Sequence, residues 1–386
     1  MSDPLVARMR PHATSVFAEF TQLAVTTGAI NLGQGFPDTD GPAEIIDAAV
    51  EALRSGHNQY PPGAGVPELR RAIAAHQHRH YGIDLDPETE VLITVGATEA
   101  ISASLLALLE PGDEYVTFEP YFDLYAAVGD LCGARRRTVA LRPGPSGYTF
   151  DPDELRAAVT ERTKVLLLNT PHNPTGKVFD HDELTQIADL CNDRDLVAVV
   201  DEVYEHLTYD GVAHVPLATL PGMSERTLSI SSSGKTYSFT GWKIGWATGP
   251  ARLVAATRAV KQHLTYSGGT PLQFAIATAL GLPDRGVAQL RDDLQAKRDR
   301  MCDGLDAAGF EVFRPQATYF VTVDIRPLGE SDGMAFCRSL PERVGVVAVP
   351  NVVFHDDEAI GRPLVRFAFC KRLEVIDEAM KRLAKM

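Results

Sequence analysis

Lys235 sits in Ser231-Ser232-Ser233-Gly234-Lys235-Thr236-Tyr237-Ser238-Phe239-Thr240-Gly241-Trp242-Lys243, a string holding two of the chain's nine lysines. A lysine in a Ser/Gly-rich turn just past an apolar strand can be kept partly out of water, which disfavours its ammonium form. The neutral amine is what Schiff-base chemistry with a carbonyl compound requires. The hydroxyl of Ser232 and the ammonium of Lys243 can grip a phosphate from either side. A lone lysine is usually part of a polar surface loop; the surrounding string argues against that here.

Asp201 closes the apolar run Leu196–Val200 and opens Asp201-Glu202-Val203-Tyr204. A carboxylate buried at a strand end needs a partner, and a protonated pyridinium nitrogen suits it; a metal ion or helix amides are the alternatives. Tyr204 can reach an oxygen on the same ring. Asn173 lies in Asn169-Thr170-Pro171-His172-Asn173-Pro174-Thr175-Gly176, where two prolines and a glycine restrict the backbone. Its amide can be presented rigidly to a ring oxygen, or the segment can be a plain turn. Gly96-Ala97-Thr98 joins a strand to a helix, and small residues there let backbone N–H groups approach an anion. Arg366 interrupts the apolar Leu364-Val365-Arg366-Phe367, so it needs a carboxylate, from either the protein or a substrate. His76 and His80 of His-x-His-x-His share a helical face, but no Glu or Cys completes a ligand set. That stretch reads as an exposed helix, and no metal site is expected.

The formal charge of −14 excludes nucleic acid and anionic membranes as main partners, while leaving room for a local cationic pocket. Five scattered cysteines without a CxxC spacing suit reduced thiols in a cytoplasmic enzyme. The first residues lack a continuous apolar core, and no run approaches about 20 apolar residues. Neither a signal peptide nor a transmembrane helix is expected.

What must position these residues is an α/β sheet. Apolar runs at Val91–Val95, Tyr115–Phe118, Lys164–Leu168, Leu196–Val200 and Thr227–Ile230 alternate with helical patterns such as Glu99–Leu109 and Glu183–Cys191. That rhythm predicts a largely parallel sheet with helices on both faces. Four of the suggestive segments follow strands directly, so they converge at the carboxyl edge where such sheets bind ligands. Helices are expected at Leu253–His263, Pro271–Leu280 and Val287–Ala308, and strands near Tyr319–Val323, Gly345–Val349 and Leu364–Phe369. The tail therefore reads as a second, smaller domain.

Taken in order, these residues resemble the class I, fold-type I aminotransferases that use pyridoxal 5'-phosphate (PLP). The resemblance covers essentially the whole chain and is closest to the kynurenine/glutamine aminotransferase branch. It is carried by Asn31-Leu32-Gly33-Gln34-Gly35-Phe36-Pro37, Asn58-Gln59-Tyr60, Pro171–Phe179, Asp201–Tyr204 and Thr240–Trp246. Within that branch the chain is similar to actinobacterial N-succinyldiaminopimelate aminotransferases.

The resemblance implies a large domain with a mostly parallel seven-stranded sheet sandwiched by helices, plus a smaller α+β domain. Residues 1–45 would form an arm and part of the small domain, 46–282 the large domain and 283–386 the rest of the small one. It implies Lys235 as the Schiff-base lysine and proton shuttle, and Asp201 as partner of the pyridine nitrogen. Asn173 and Tyr204 would bond the ring oxygen, with Phe122 on one ring face and Val203 on the other. Ala97, Thr98, Ser232 and Lys243 would hold the phosphate, with Tyr60 reaching it from the other subunit of a homodimer. Arg366 and the Gly35 backbone would take the substrate carboxylate, and Phe17 would line the side-chain pocket. Two departures stand out. Lys243 replaces the arginine of the broad class, as it does throughout this branch. Gly268 and Gly269 stand where kynurenine aminotransferases carry an aromatic residue from the partner, which favours a longer substrate.

The activity implied is transfer of an amino group between small amino acids and 2-oxo acids. The expected pair is N-succinyl-LL-2,6-diaminopimelate and 2-oxoglutarate. Kynurenine, glutamine or methionine transamination and cysteine-S-conjugate β-lysis are the alternatives, since the same cofactor residues serve all of them. A non-enzymatic PLP-binding regulator would need a DNA-binding module, for which the N-terminal arm is too short.

Overall fold

The computed structural model describes residues 4–144 and 147–386, so the first three residues of the expected arm lie outside the described residues. Seven strands form the main sheet: β1 (Val91–Val95), β2 (Glu114–Glu119), β3 (Arg135–Ala140), β4 (Thr163–Asn169), β5 (Val197–Asp201), β6 (Thr227–Ser232) and β7 (Ile244–Thr248). Their spatial order is β1-β7-β6-β5-β4-β2-β3, and β7 alone runs antiparallel to its neighbours.

The strands are apolar on both faces because both faces are covered. In β4, Leu166 and Leu168 point to one side, where they meet Leu184 and Ile187 of a flanking helix. Val165 and Leu167 point to the other, against Ala100, Ile101 and Leu105. The two-residue period of a strand thus feeds two cores at once.

Flanking elements used below are α1 (Val16–Thr27), α2 (Pro67–Tyr81), α3 (Gly96–Leu108), α4 (Asp123–Cys132) and α5 (Arg285–Ala307). The Ser15 hydroxyl caps α1 by accepting from the Phe17 amide, and Gly28 ends it in the left-handed region at φ 66°.

A second sheet, fully antiparallel, is built from β8 (Glu311–Phe313), β9 (Phe320–Asp324), β10 (Val349–Pro350) and β11 (Leu364–Ala368), in the order β8-β9-β11-β10. The N-terminal segment joins it: Ile30–Asn31 pairs in parallel with Val346–Val347. Phe20, Ala24 and Leu32 share a buried cluster with Met301, Leu305, Phe336 and Val365. No helix among the described residues is long and apolar enough to cross a membrane.

Two strands of the main sheet escape the apolar-run criterion. β3 opens on three arginines and lies at the sheet edge, where only Val139 and Ala140 are buried. β7 is interrupted by Gly245. The expected strand Gly345–Val349 splits, its halves pairing with different partners. The His76–His80 stretch also departs from expectation, for it is not an exposed helix. The buried face of α2 passes through Leu69, Ile73 and His76, leaving His80 half-buried and His78 exposed.

α5 is tied to the loop after β5 by Arg298, which is 2 % exposed. Its guanidinium donates to both carboxylate oxygens of Asp210, at 2.6 and 3.0 Å, and lies over the Tyr209 ring. Because the Asp210 side chain is 55 % exposed, its charge returns to water when the arginine is lost. The Arg298→Met protein should lose about 1–3 kcal/mol by denaturant titration, below the cost of stranding a buried charge.

Candidate active site

The carboxyl ends of β1, β4, β5 and β6 open on one cavity of about 220 Å³. Gly96, Ala97 and Thr98 follow β1; Asn173 follows β4; Asp201, Val203 and Tyr204 end or follow β5; Ser232 and Lys235 end or follow β6. Phe122, Lys243, Gly35, Phe17 and Arg366 complete the wall. Of the residues selected from sequence, Tyr60 alone lies elsewhere. It is 81 % exposed, its ring 5.6 Å from that of Tyr266.

β6 runs into a single helical turn, Ser233–Thr236, which turns Lys235 into the cavity. Lys235 Nζ donates to Tyr319 Oη at 2.7 Å, and Tyr319 Oη donates to the Gly35 carbonyl at 2.5 Å. Burial lowers the Lys235 ammonium from 10.5 to about 8, against the attraction of the Asp201 carboxylate among others. Gly35 is required where it stands. A Cβ there would lie 2.3 Å from the Phe320 ring and 2.9 Å from the Tyr319 ring.

Asp201 is buried at the end of β5. Its Oδ2 accepts from the Tyr125 hydroxyl of α4 at 2.7 Å and its Oδ1 from the Val203 amide at 3.3 Å. Burial raises its pKa to about 6, and these two hydrogen bonds oppose the rise. Both donors are neutral, so the ionised form still gains from a cation brought into the cavity.

At the opposite end, α3 begins directly at Gly96, whose φ of +72° favours glycine. A Cβ at Gly96 would stand 3.4 Å from Lys243 Nζ, which donates to Thr98 Oγ1 at 3.3 Å. β7 passes close by. A Cβ at Gly245 would fall 2.5 Å from the Gly96 carbonyl carbon, so glycine is needed for the strand to lie there. The amides of the first α3 turn, the Lys243 ammonium and the Ser232 hydroxyl form a cradle for an anion.

Arg366, on β11, crosses from the second sheet. It is 2 % exposed, donates to Asn173 Oδ1 and to the Gly33 carbonyl at 3.1 Å each, and lies over the Phe320 ring at 4.1 Å. Its Nε is buried without a hydrogen-bond partner, and among the described residues no carboxylate lies within ion-pair distance of it, Asp123 attracting it from further off. Burial draws its pKa down to about 10.

A partly neutral amine between an anion cradle and a buried carboxylate is the equipment of enzymes that use pyridoxal phosphate. Residues 27–383 match the family described as "Aminotransferase class I and II", and the chain belongs to that family. It is 53 % identical to the "Probable N-succinyldiaminopimelate aminotransferase DapC" of Mycobacterium tuberculosis, covering 98 % of each chain. The solved structure of the N-succinyldiaminopimelate aminotransferase from that organism superposes with a TM-score of 0.97 over 99 % of both chains, at 53 % identity. Kynurenine–oxoglutarate transaminase 3 of Mus musculus is 38 % identical over 95 % of this chain and 86 % of its own. The chain is thus a PLP-dependent aminotransferase of fold type I.

The residues fit that cofactor. The cradle needs glycine at 96, Asp201 has no cation within ion-pair distance among the described residues, and the buried Arg366 Nε–H has no hydrogen-bond partner. Sequence reasoning missed Tyr125, Tyr319 and Phe320. Tyr319 and Phe320 begin a β-strand pattern that reads simply as core, and Tyr125 lies on an amphipathic helix. Only their approach to Lys235, Gly35 and Asp201 exposes a role.

Carbamylation by cyanate consumes only neutral amine. In the apoenzyme, the Lys235 rate followed by mass spectrometry should rise through a midpoint near pH 8. A midpoint at the ordinary lysine value of 10.5 would show that the amine is not desolvated.

Proposed function

We propose that the chain transfers the amino group of N-succinyl-LL-2,6-diaminopimelate to a 2-oxo acid such as 2-oxoglutarate, with Lys235, Asp201 and Tyr204 as its catalytic residues. The observation that carries this reading is Arg366, a buried guanidinium with an unpartnered N–H and, among the described residues, no carboxylate within ion-pair distance, at the wall of the Lys235 cavity. An α-carboxylate shared by amino and oxo acids fits that fork. The choice of donor is supported by the 53 % identity to the mycobacterial N-succinyldiaminopimelate aminotransferase. It is also supported by Gly268 and Gly269, where a side chain is excluded at the latter: φ is +64° and a Cβ would lie 2.9 Å from Ile244.

Bound pyridoxal phosphate supplies a carbonyl carbon for the amino group and a ring that accepts electron density from the substrate Cα. Ala97, Thr98, Ser232 and Lys243 would hold its phosphate. Asp201, whose hydrogen-bond donors are both neutral, would hold a proton on the ring nitrogen. Asn173 and Tyr204 would hydrogen-bond the ring oxygen, while Phe122 and Val203 would hold the ring and exclude water. Arg366 and Gly35 fix the substrate carboxylate, with Phe17 beside it. Lys235 Nζ then takes the Cα proton, a task its lowered pKa suits near pH 8.

We read the working form as a homodimer with Tyr60 reaching the neighbouring cavity. Tyr60, Tyr266 and Leu264 are exposed large side chains, which supports a covered surface. We place the enzyme in the cytoplasm, supported by five free, buried cysteines. The domain division at 45/46 and 282/283 is supported by the cluster that joins Phe20 and Leu32 to the C-terminal tail.

Mixing the cofactor-loaded enzyme with single amino acids, and following loss of its visible absorbance, tests the donor. Fast loss with N-succinyl-LL-2,6-diaminopimelate is expected. Fast loss with kynurenine, glutamine or methionine and none with the succinylated donor would overturn that assignment, and pyruvate formed from cystathionine without an acceptor would favour lysis. Lys235→Ala should end multiple turnover, and Arg366→Lys should raise KM for both substrates about 10- to 100-fold by losing the fork.

A further inference from the structure

Outside the cofactor cavity, the fold assembles a second set of potential ligands. α2 carries His76 and His80 one turn apart, and the segment after β5 brings His206 to the same point. One ligand nitrogen from each ring lies within 4.8 Å of the other two. His76 Nε2 and His206 Nε2 are 2.8 Å apart, and the His76 and His80 ring centres 4.4 Å apart. Asp284, just before α5, places Oδ1 3.4 Å from His80 Nε2. The group borders a separate cavity of about 160 Å³.

As a purely hydrogen-bonded cluster this arrangement is poorly satisfied. Two facing Nε2 atoms can share only one proton, so one ring donates and the other accepts. His76 Nδ1 is buried with no hydrogen-bond partner at all. Taking His76 out of water and partly burying His80 and His206 for so few hydrogen bonds calls for a further partner.

We propose that His76, His80 and His206, with Asp284 as fourth ligand, bind one divalent transition-metal ion of the zinc type. Residues four apart on a helix can both reach one ion, and His206 approaches from a different element. Bond lengths of about 2.0–2.1 Å put tetrahedral ligand atoms about 3.4 Å apart, which small side-chain rotations reach from the present spacing. Arg79 donates to the Leu280 carbonyl and also pairs at 3.5 Å with the same Asp284 Oδ1, a contact it would share with or yield to the ion. Arg291, which also lines the cavity, pairs with Asp292. Glu205, held by the Tyr81 and Ser231 hydroxyls, offsets the added charge. Imidazole and carboxylate together select zinc, copper, nickel or cobalt over magnesium and calcium.

The site would brace the active site without touching substrate. His206 adjoins Glu205, whose carboxylate accepts from Ser231 at 2.5 Å, one residue from Ser232 of the anion cradle. Bound metal therefore pins the segment from Asp201 to His206.

The test uses chelator-treated holoenzyme titrated with Co²⁺ and followed by visible d–d absorption. The result expected is one Co²⁺ per chain with the intense bands of four-coordinate geometry, displaced by Zn²⁺ and not by Mg²⁺. Thermal unfolding should move upward with Zn²⁺. His80→Gln and His206→Gln should each weaken binding at least about tenfold. The control His78→Gln removes an exposed ring paired with Asp84 and should bind as the parent does. Absence of a stoichiometric band, or unchanged binding in both variants, overturns the proposal. Should those variants fail to fold, X-ray absorption of Co²⁺-loaded parent enzyme decides: two or more imidazoles in the first shell support the site, and a shell of water and carboxylate oxygens overturns it.

Discussion

The structure is organised around an amine and a carboxylate kept out of water at the ends of two adjacent parallel strands. Asp201 ends β5 and Lys235 follows β6, and these strands are paired so that Asp201 sits opposite Ile230. Burial shifts both groups toward neutrality, Lys235 down to about 8 and Asp201 up to about 6, while each charge favours the other. A lysine left in water would remain protonated well above neutrality and serve poorly as a nucleophile. The apolar cores on both faces of the sheet are what keep this pair desolvated.

The remaining groups are set by where the two sheets meet. Tyr319 precedes β9 and Phe320 opens it, Arg366 sits on β11, and Gly35 belongs to the N-terminal segment packed against them. Tyr319 links Lys235 to the Gly35 carbonyl, so the reactive amine is bonded to the second sheet as well as carried by the first. Arg366 likewise joins Asn173 of the first sheet's edge to Gly33. The recognition of a carboxylate and the position of the amine are thereby mechanically connected.

Much of this could be read from the chain. Short β-branched runs ending in Gly96, Asn169, Asp201 and Ser232 located four strand ends, and a parallel sheet sends all four to one edge. The short loops carry their own conformational signals, glycine at 96 among them. What stayed hidden depends on contacts remote in sequence. Tyr125 and Tyr319 look like core residues until they meet Asp201 and Lys235. His206 lies 130 residues from His76, so local spacing on α2 showed two ligands and missed the third. β3 was obscured because an edge strand can carry Arg135, Arg136 and Arg137 without burying them, and β7 because Gly245 breaks its apolar run.

The central claim is that the amine at position 235 is the one presented to the cofactor's carbonyl carbon. Reducing the cofactor-loaded protein with borohydride and mapping the phosphopyridoxyl label by peptide mass spectrometry tests this directly. The label should fall on Lys235, with Lys243, the other lysine of the cavity wall, unmodified. A label on Lys243, or on a surface lysine with Lys235 intact, would contradict the account.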